Sequence, residues 1–330
     1  MKKGAIILLT LVLTLGLLAG CGSGGNGGGD GEIKSIGIIQ LAEHVALDSA
    51  NEGFVDALKD EGFIDGENIT IDQQNAQGDQ ANLNTISQRF ISNECDLILA
   101  IATPAAQAVA GATEDIPILV TAVTDLVEAK LVESYEAPGT NVTGTTDMTP
   151  IEAQIDLLLE LVPEAKTIGL VYNPGEVNSQ IQIDIAKAYI ESLGLTCEEA
   201  SANTTNDVAQ AMQTICAKAD AVYLPTDNVF ATALATVGEI GRETKTPIIV
   251  ADTNMVEGGA LASEGLNYYN LGYQTGLMAA KILRGEAEPA TMPVEKLQET
   301  DLIINKATAD ILGIEIPQAL LDRALTVIEE

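Results

Sequence analysis

A repeated alternation of two patterns constrains this fold more than any other feature of the sequence. Short runs rich in Ile, Val and Leu alternate with longer stretches in which apolar residues recur at helical spacing. Uninterrupted apolar runs are typical of parallel strands that are buried on both faces, and the helical stretches supply the crossovers. The first part of the chain therefore predicts strands at residues 35–39, 69–73, 97–102 and 118–122, with amphipathic helices between them.

The same alternation begins again after the Pro-Gly-Thr-Asn segment at 138–141. In this second part the pattern predicts strands at 167–172, 196–200, 221–224 and 248–250. Helices are predicted at 151–161, 179–193, 207–219 and 230–244. The chain closes with a predicted helix at 268–284, a strand at 302–305 and a last helical segment that Ile316-Pro317 interrupts.

The length of the chain predicts two domains, because about 300 residues are more than one hydrophobic core usually holds. The tail is too short for a third domain, so we expect it to return to both units and to form a hinge of several crossings. We predict an α/β fold with two Rossmann-like lobes whose parallel sheets are joined by a multi-strand hinge. The predicted lobes are 33–143 with 266–296, and 144–265 with 297–330.

The N-terminal segment has the features of a secretory signal. Lys2 and Lys3 precede an apolar run that is too short to cross a bilayer as a stable anchor. The Leu-Ala-Gly before Cys21 resembles a bacterial lipobox, so we predict cleavage of 1–20, lipidation of Cys21 and a Gly-rich tether over 21–32. An ordinary signal peptide with an incidental cysteine is the alternative. The lipobox interpretation implies an extracytoplasmic chain that is lipid-anchored to the cell membrane.

Charge and cysteine content exclude several classes of function. The formal net charge of −32 disfavours nucleic acid and anionic lipid headgroups. Cys95, Cys197 and Cys216 have no zinc or redox spacing, and we expect buried thiols, with a bridge between Cys197 and Cys216 as the alternative. One histidine cannot form a histidine metal cluster, and the usual hydrolase and nucleotide motifs are absent. The sequence therefore predicts no metal, no cofactor and no catalytic residue.

Specific motifs resemble the ABC transporter substrate-binding proteins of the tryptophan/tyrosine-type lipoprotein family. The main ones are NYYNLGYQTG at 267–276 and NKATA at 305–309. Others are Gln40 with 43–44, and the segments 103–106, 123–125, 138–144, 172–174, 225–228, 278–279, 312–314 and 316–317. The resemblance implies a type I periplasmic binding protein fold, and a ligand that is often an aromatic or other hydrophobic amino acid. It also implies permease subunits with their ATPases as partners.

Polar loops follow the predicted strands, and open parallel sheets bind ligands beyond the carboxyl ends of their strands. The ligand-binding candidates in the first lobe are Gln40, Glu43, His44, Thr103, Pro104, Ala105, Ala106, Thr124 and Asp125. Those in the second lobe are Asn173, Thr226, Asp227, Asn228 and Asp252. We expect these two sets to face each other across a cleft.

The two ends of an amino acid suit different candidates. Thr103 as a helix cap, with Pro104 at the first helical position, predicts unpaired N–H groups that can hold an α-carboxylate, although an ordinary helix start is the alternative. Asp227 and Asp252 are the candidates for an α-ammonium, and Asp227 can instead cap a helix. His44, the only histidine, contacts either the ligand or only the protein.

The sequence thus predicts a solute-binding lipoprotein of an ABC importer that closes around a small molecule, and not an enzyme. A lipoprotein that senses a solute and signals to a membrane receptor is one alternative. An extracytoplasmic enzyme on a Rossmann-like scaffold is another, and binding without chemical change of the ligand would count against it.

Overall fold

The computed structural model describes residues 33–329, so the predicted signal peptide (1–20) and tether (21–32), with Cys21, lie outside the described residues. All nine predicted strands occur within two residues of their expected bounds. The strands of the described part are β1 (Lys34–Gln40), β2 (Ile69–Asn75), β3 (Leu97–Ile101), β4 (Ile118–Val123), β5 (Val142–Thr146), β6 (Thr167–Tyr172), β7 (Thr196–Ser201), β8 (Ala221–Leu224), β9 (Ile248–Val250), β10 (Ala262–Gly265), β11 (Glu295–Lys296), β12 (Asp301–Asn305) and β13 (Thr326–Ile328).

The helices follow the predicted pattern with one correction. They are α1 (Val45–Asp60), α2 (Gln80–Ser92), α3 (Thr103–Ala110), α4 (Ile151–Leu161), α5 (Val177–Ser192), α6 (Thr205–Cys216), α7 (Asn228–Thr232), α8 (Leu234–Thr244), α9 (Tyr268–Leu283), α10 (Lys306–Leu312) and α11 (Gln318–Arg323). The single helix predicted at 230–244 is wrong, because Ala233 leaves the helical conformation (φ −101°, ψ 24°) and separates α7 from α8. The apolar spacing continues through Ala233, so the pattern does not reveal this break.

Two sheets form the framework of the molecule. The first has six strands in the order β11-β5-β4-β3-β1-β2, and all of its pairs are parallel. The second has seven strands in the order β13-β12-β10-β9-β8-β6-β7, in which only β10 and β12 pair antiparallel. This confirms the predicted α/β class with two parallel-dominated sheets.

We call the six-stranded sheet with α1, α2, α3 and α9 the first lobe, and the seven-stranded sheet with the remaining helices the second lobe. The chain passes between the sheets after β5, between β10 and α9, and between β11 and β12. These three crossings form the hinge. The predicted first boundary at 143/144 is wrong, because it cuts through β5, which pairs with β4 along its length. The first crossing therefore follows Thr146.

Helix α9 returns to the first lobe and packs closely on α1. A side chain at Gly272 would collide with the backbone carbonyl of Ala50, and one at Gly53 would collide with the carbonyl of Tyr269. The two glycines therefore allow the helix backbones to approach almost to contact. This packing fixes the start of α9, including Tyr268, beside the hinge.

The remaining predictions on cysteines concern the described part of the chain. Cys95, Cys197 and Cys216 are all free there, so the alternative of a bridge between Cys197 and Cys216 is wrong. Cys95 and Cys216 are buried, as expected for small hydrophobic side chains.

Within residues 33–329, no helix is both long enough and apolar enough to span a bilayer.

Candidate functional site

A cavity lies between the lobes, where the carboxyl ends of strands from both sheets face each other. The space in it that no atom occupies, part of which is open to solvent, is about 300 Å³. We call it the central cavity. Its lining residues are His44, Ala46, Leu47, Ala122, Thr124, Asp147, Asn178, Thr226, Asp227, Asn228, Ala231, Asp252 and Tyr268. The predicted convergence of loops from both lobes is therefore present in the structure.

The start of α1 forms part of the first-lobe wall. His44 is the residue before the helix, and its side chain does not cap the helix. Within the described residues, no acceptor takes a hydrogen bond from the backbone N–H groups of Ala46 and Leu47, both of which line the cavity. Unpaired N–H groups at the start of a long helix favour an anionic partner.

The predicted carboxylate seat at 103–106 does not line the central cavity. Ala102, not Thr103, is the residue before α3, so the expected capping role of Thr103 is wrong. The Thr103 hydroxyl is buried and makes no hydrogen bond within the described residues. Ala105 and Ala106 are fully buried, and Pro104 lines a wider groove instead.

This wider groove, which we call the outer groove, shares His44 and Asn228 with the central cavity. Glu43, Pro104 and Asn173 are the other predicted site residues that line it. Gln40 is buried beneath, where its side-chain amide donates to the carbonyl of Ala42 and to the Asp48 carboxylate. Asp125 accepts hydrogen bonds from the N–H groups of Val127 and Glu128 in a local turn.

Asp227 is the most completely bonded carboxylate of the second-lobe wall. Its Oδ1 accepts from the N–H groups of Val229 and Phe230, 3.0 Å away in each case, and so caps α7. Its Oδ2 accepts from the Asn173 N–H at 2.6 Å and the Ser179 hydroxyl at 2.7 Å. Burial raises the pKa of Asp227, and these four donors oppose the shift. Groups of its own lobe thus occupy both oxygens.

Glu176 lies behind Asp227 and completes a buried acidic pair. Asn173, Asn178 and Asn228 each donate a side-chain N–H to its carboxylate, at 2.5 to 3.2 Å. Burial, and then the charge of Asp227, raise the pKa of Glu176 to about 7. The pair therefore holds a proton near neutral pH.

Asp252 lies on the same wall and is also buried. Its Oδ1 accepts from the backbone N–H and the side chain of Asn254, at 2.9 and 3.0 Å. Burial raises the pKa of Asp252, whereas the positive charge that His44 can carry lowers it. The structure thus brings Asp252 to the cavity, together with His44.

The hinge supplies two lining residues that are not among the predicted site residues. The Tyr268 hydroxyl donates to Asp147 Oδ2 at 2.7 Å, and Asp147 Oδ1 has no hydrogen-bond partner within residues 33–329. Burial raises the pKa of Asp147 to about 6, and the hydrogen bond from Tyr268 opposes this. Only the strand-end rule could have found Asp147, and it requires β5, which the apolar pattern does not predict.

Contacts across the cleft hold the lobes together. His44 Nε2 and Asn228 Oδ1 lie 3.2 Å apart, and the hydroxyls of Thr124 and Thr226 lie 3.4 Å apart. Gln182 of α5 donates to the Thr226 hydroxyl at 2.6 Å. Each of the first two contacts joins a first-lobe residue to a second-lobe residue, so the lobes are closed on one another.

The chemistry of the lining favours a ligand with a cationic group. Three of the lining residues are Asp, whereas none is Lys or Arg. Within the described part of the chain, no group of three His, Cys, Asp or Glu side chains could hold a metal ion. Buried carboxylates need a positive partner or a proton, so a ligand ammonium suits this cavity.

The chain is similar to known proteins over most of its length. The sequence profile of a family described as ABC transporter substrate binding protein matches residues 35–328. A tyrosine-binding protein of Clostridioides difficile (strain R20291) is 45% identical over 282 residues, which are 86% of this chain and 81% of that protein.

Two solved structures superimpose on nearly all of the described chain. The ABC domain in complex with L-Trp from Streptococcus pneumoniae has a TM-score of 0.86 and 40% identity, over 89% of this chain and 99% of that one. The ligand-free, open structure of a substrate binding protein with adhesive properties from Clostridium difficile has 47% identity but a TM-score of 0.69, over 90% of this chain and 100% of that one.

Proposed function

The chain belongs to the ABC transporter substrate-binding protein family, and from this membership we propose that its central cavity binds an aromatic amino acid. It is the substrate-binding protein of an ABC transporter, and its fold is that of a type I periplasmic binding protein. The predicted membership of the ABC transporter substrate-binding proteins is thus confirmed. Tyrosine in the name of one relative and L-Trp in the structure of another support an aromatic side chain on the ligand.

The observation that carries this proposal is the division of charge around the central cavity. Unpaired N–H groups of Ala46 and Leu47 lie on the first-lobe side. Asp252 and Asp147 lie on the second-lobe side and in the hinge. An α-amino acid has one carboxylate and one ammonium, so it can satisfy both sides at once.

Hinge closure is the mechanism that we propose for capture. The bound amino acid contacts both lobes only when they are closed, so its binding shifts the population toward the closed form. The superpositions support this mechanism. The open, ligand-free structure from Clostridium difficile has the higher sequence identity, 47%, but the lower TM-score, 0.69. The structure with L-Trp has 40% identity and a TM-score of 0.86. Because the fold is shared, the lower TM-score is consistent with a different angle between the lobes.

The partners and the location follow from the same family. ABC transporter substrate-binding proteins act outside the cytoplasm, and we propose that this chain delivers its ligand to permease subunits with their ATPases. We propose further that Cys21 carries the lipid anchor and that the ligand leaves chemically unchanged, without enzymatic conversion.

Replacing Cys21 by Ser should move the protein from the detergent phase to the aqueous phase in a phase-partition assay of the expressing bacterium. An unchanged distribution would contradict the anchor.

A thermal-shift screen over the amino acids tests the ligand. A ligand that binds only the folded protein raises its stability by about 2.7 kcal/mol at one hundred times its Kd. We expect tyrosine, tryptophan or phenylalanine to raise the melting temperature most, and aspartate and glutamate to have no effect because the cavity is acidic. Mass spectrometry of the recovered ligand checks that it is unchanged. No shift with any aromatic amino acid would contradict the proposal.

A further inference from the structure

We propose that Asp147, a residue of the hinge, accepts the α-ammonium of the bound amino acid, and that Tyr268 positions its carboxylate for this. The inference rests on the proposed function and adds the residue that recognises the amine. It differs from the expectation from sequence, in which Asp227 or Asp252 has this role.

The bonding of Asp147 is asymmetric. Its side chain is 3% exposed and lines the central cavity. Oδ2 accepts the hydrogen bond from the Tyr268 hydroxyl at 2.7 Å. Oδ1 is fully buried and has no hydrogen-bond partner within residues 33–329. A buried carboxylate oxygen without a donor is costly, and it therefore requires a partner that the described chain does not supply.

The other two carboxylates of the cavity have partners within the protein. Asp227 accepts two hydrogen bonds at each oxygen. Asp252 accepts two hydrogen bonds from Asn254, both at Oδ1, and its Oδ2 is not among the fully buried oxygens that have no donor within residues 33–329. Of the three lining Asp residues, only Asp147 thus has a fully buried carboxylate oxygen without a hydrogen-bond donor in the described chain.

An ammonium group fits this need in both charge and geometry. It carries three N–H donors and a full positive charge. An uncharged donor could form the hydrogen bond but would not neutralise the negative charge of Asp147. No Lys or Arg lines the cavity to compete for the site. A ligand amine can therefore replace the water that a buried carboxylate loses.

The groups around Asp147 act on its pKa in opposite directions. Tyr268 faces it from α9, Thr124 from the loop after β4, and Asp252 from the loop after β9, with His44 at the start of α1 acting on Asp252. Burial raises the pKa of Asp147 to about 6, Asp252 adds to the shift, and the hydroxyls of Tyr268 and Thr124 oppose it. Loss of the Tyr268 hydroxyl should raise this pKa further.

The hydrogen bond between Asp147 and Tyr268 lies in the hinge, where the lobes move during closure. Asp147 begins the first crossing of the hinge, directly after β5, and Tyr268 begins α9 after the second crossing. Their hydrogen bond joins these two crossings. An ammonium held by Asp147 is therefore bound where the lobes rotate, and not on the face of one lobe.

Ligands that differ only in the amine and the carboxylate test the assignment by isothermal titration calorimetry at pH 7.5. The first series is L-tyrosine, tyramine and 3-(4-hydroxyphenyl)propionate, and the second is L-tryptophan, tryptamine and indole-3-propionate. Asp147→Asn should weaken binding of the amino acids and amines by about 10- to 100-fold, the range for a charged hydrogen bond. Binding of the two propionates should stay within about threefold or become tighter, because a negative charge is removed.

Asp252→Asn is the matched control, since it removes a buried carboxylate from the same cavity. We expect it to cause a smaller amine-dependent loss than Asp147→Asn. An equal loss for all three ligands of a series, no loss, or an amine-dependent loss only in Asp252→Asn would overturn the assignment. If the unmodified protein binds none of the aromatic amino acids, the proposed function itself fails, which is a different result.

Tyr268→Phe tests the positioning role through a pH profile. Affinity for L-tyrosine should fall on acidification as Asp147 becomes protonated, and in Tyr268→Phe the midpoint of this fall should move to higher pH. The affinities of the variant and the unmodified protein should approach each other again at pH 8. A loss of affinity that is constant across pH would mean a purely structural role for Tyr268.

Discussion

The two lobes present opposite kinds of group to the central cavity. The first-lobe wall offers the unpaired N–H groups at the start of α1, small apolar side chains and Thr124, and none of its lining residues is acidic. The second-lobe wall offers Asp227 and Asp252, with Glu176 buried behind them. Under the proposed function, a zwitterion between these walls meets N–H donors on the first-lobe side and carboxylates of the hinge and the second lobe on the other. Only the closed form can therefore satisfy both of its charges.

The walls also differ in how far their polar groups are already bonded. Asp227 has four donors from its own lobe, and Glu176 has three. The N–H groups of Ala46 and Leu47 on the first-lobe wall, in contrast, have no acceptor in the described chain. Asn178 Oδ1 of the second-lobe wall is also buried without a partner there. The difference indicates that the second-lobe carboxylates stabilise the fold, whereas the N–H groups of the first lobe are available to a ligand.

The largest expected effect separates these two roles at Asp227. Asp227→Ala removes the cap of α7 and leaves buried donors unpaired, so we expect the free energy of unfolding to fall by about 2–4 kcal/mol. Urea denaturation of the ligand-free protein measures this. Asp252→Ala loses contacts only to Asn254 and should cost less. A variant with Asp227→Ala that unfolds normally but no longer binds would reverse the comparison and make Asp227 a ligand group.

The next effect concerns the protonation of Glu176, which is buried behind the second-lobe wall. The pKa of Glu176 is raised to about 7 from its ordinary value of 4.5, so the folded protein binds this proton more tightly than the unfolded chain. The stability that the proton provides is fully present below pH 4.5 and is lost as the pH rises through 7.

Thermal unfolding of the ligand-free protein between pH 5 and pH 8 measures this dependence. The melting temperature should be higher at pH 5 than at pH 8. In Glu176→Gln, the free energy of unfolding should fall less steeply as the pH rises. The difference in slope should be up to that of one bound proton, about 1.4 kcal/mol per pH unit. Parallel curves for the variant and the unmodified protein would mean that Glu176 is not protonated near neutral pH.

A smaller effect tests whether the first-lobe wall extends to the start of α3. Thr103→Val keeps the shape of the side chain and removes a hydroxyl that has no partner, so the melting temperature should be unchanged or higher. If this hydroxyl binds the ligand carboxylate, affinity for L-tyrosine should fall by about five- to tenfold. Unchanged affinity in calorimetry would restrict the carboxylate seat to the start of α1.

The smallest expected effect concerns the contact between the walls themselves. His44→Ala removes the bond to Asn228 across the cleft, and we expect affinity for L-tyrosine to fall by about two- to fivefold. His44→Gln can still donate to Asn228 and should recover most of the affinity. A loss of more than fiftyfold in His44→Ala would show instead that His44 contacts the ligand directly.

The apolar runs predict most of the framework but not the strands that close it. Runs of Ile, Val and Leu are detectable because strands buried on both faces exclude polar residues. β5 (VTGTT) and β10 (ASEG) are built from Thr, Ser, Gly and Glu, and tertiary pairing alone makes them strands. Since β5 marks the first crossing, the predicted boundary at 143/144 falls inside it.

The same limit explains which site residues the sequence reveals. Thr124, Asp227 and Asp252 follow strands that the apolar pattern detects, and all three line the cavity. Asp147 follows β5, so the strand-end rule misses it. Tyr268 begins a helix and follows no strand directly, so the rule does not select it either, and the close packing of α9 on α1 places it beside the hinge.

Closure of the two walls around an amino acid is the central claim, and small-angle X-ray scattering tests it most directly. Scattering is measured from the ligand-free protein and from the protein saturated with L-tyrosine, with L-glutamate as the control. The radius of gyration should fall with L-tyrosine and stay constant with L-glutamate. Scattering profiles that remain identical while calorimetry shows L-tyrosine bound would contradict closure.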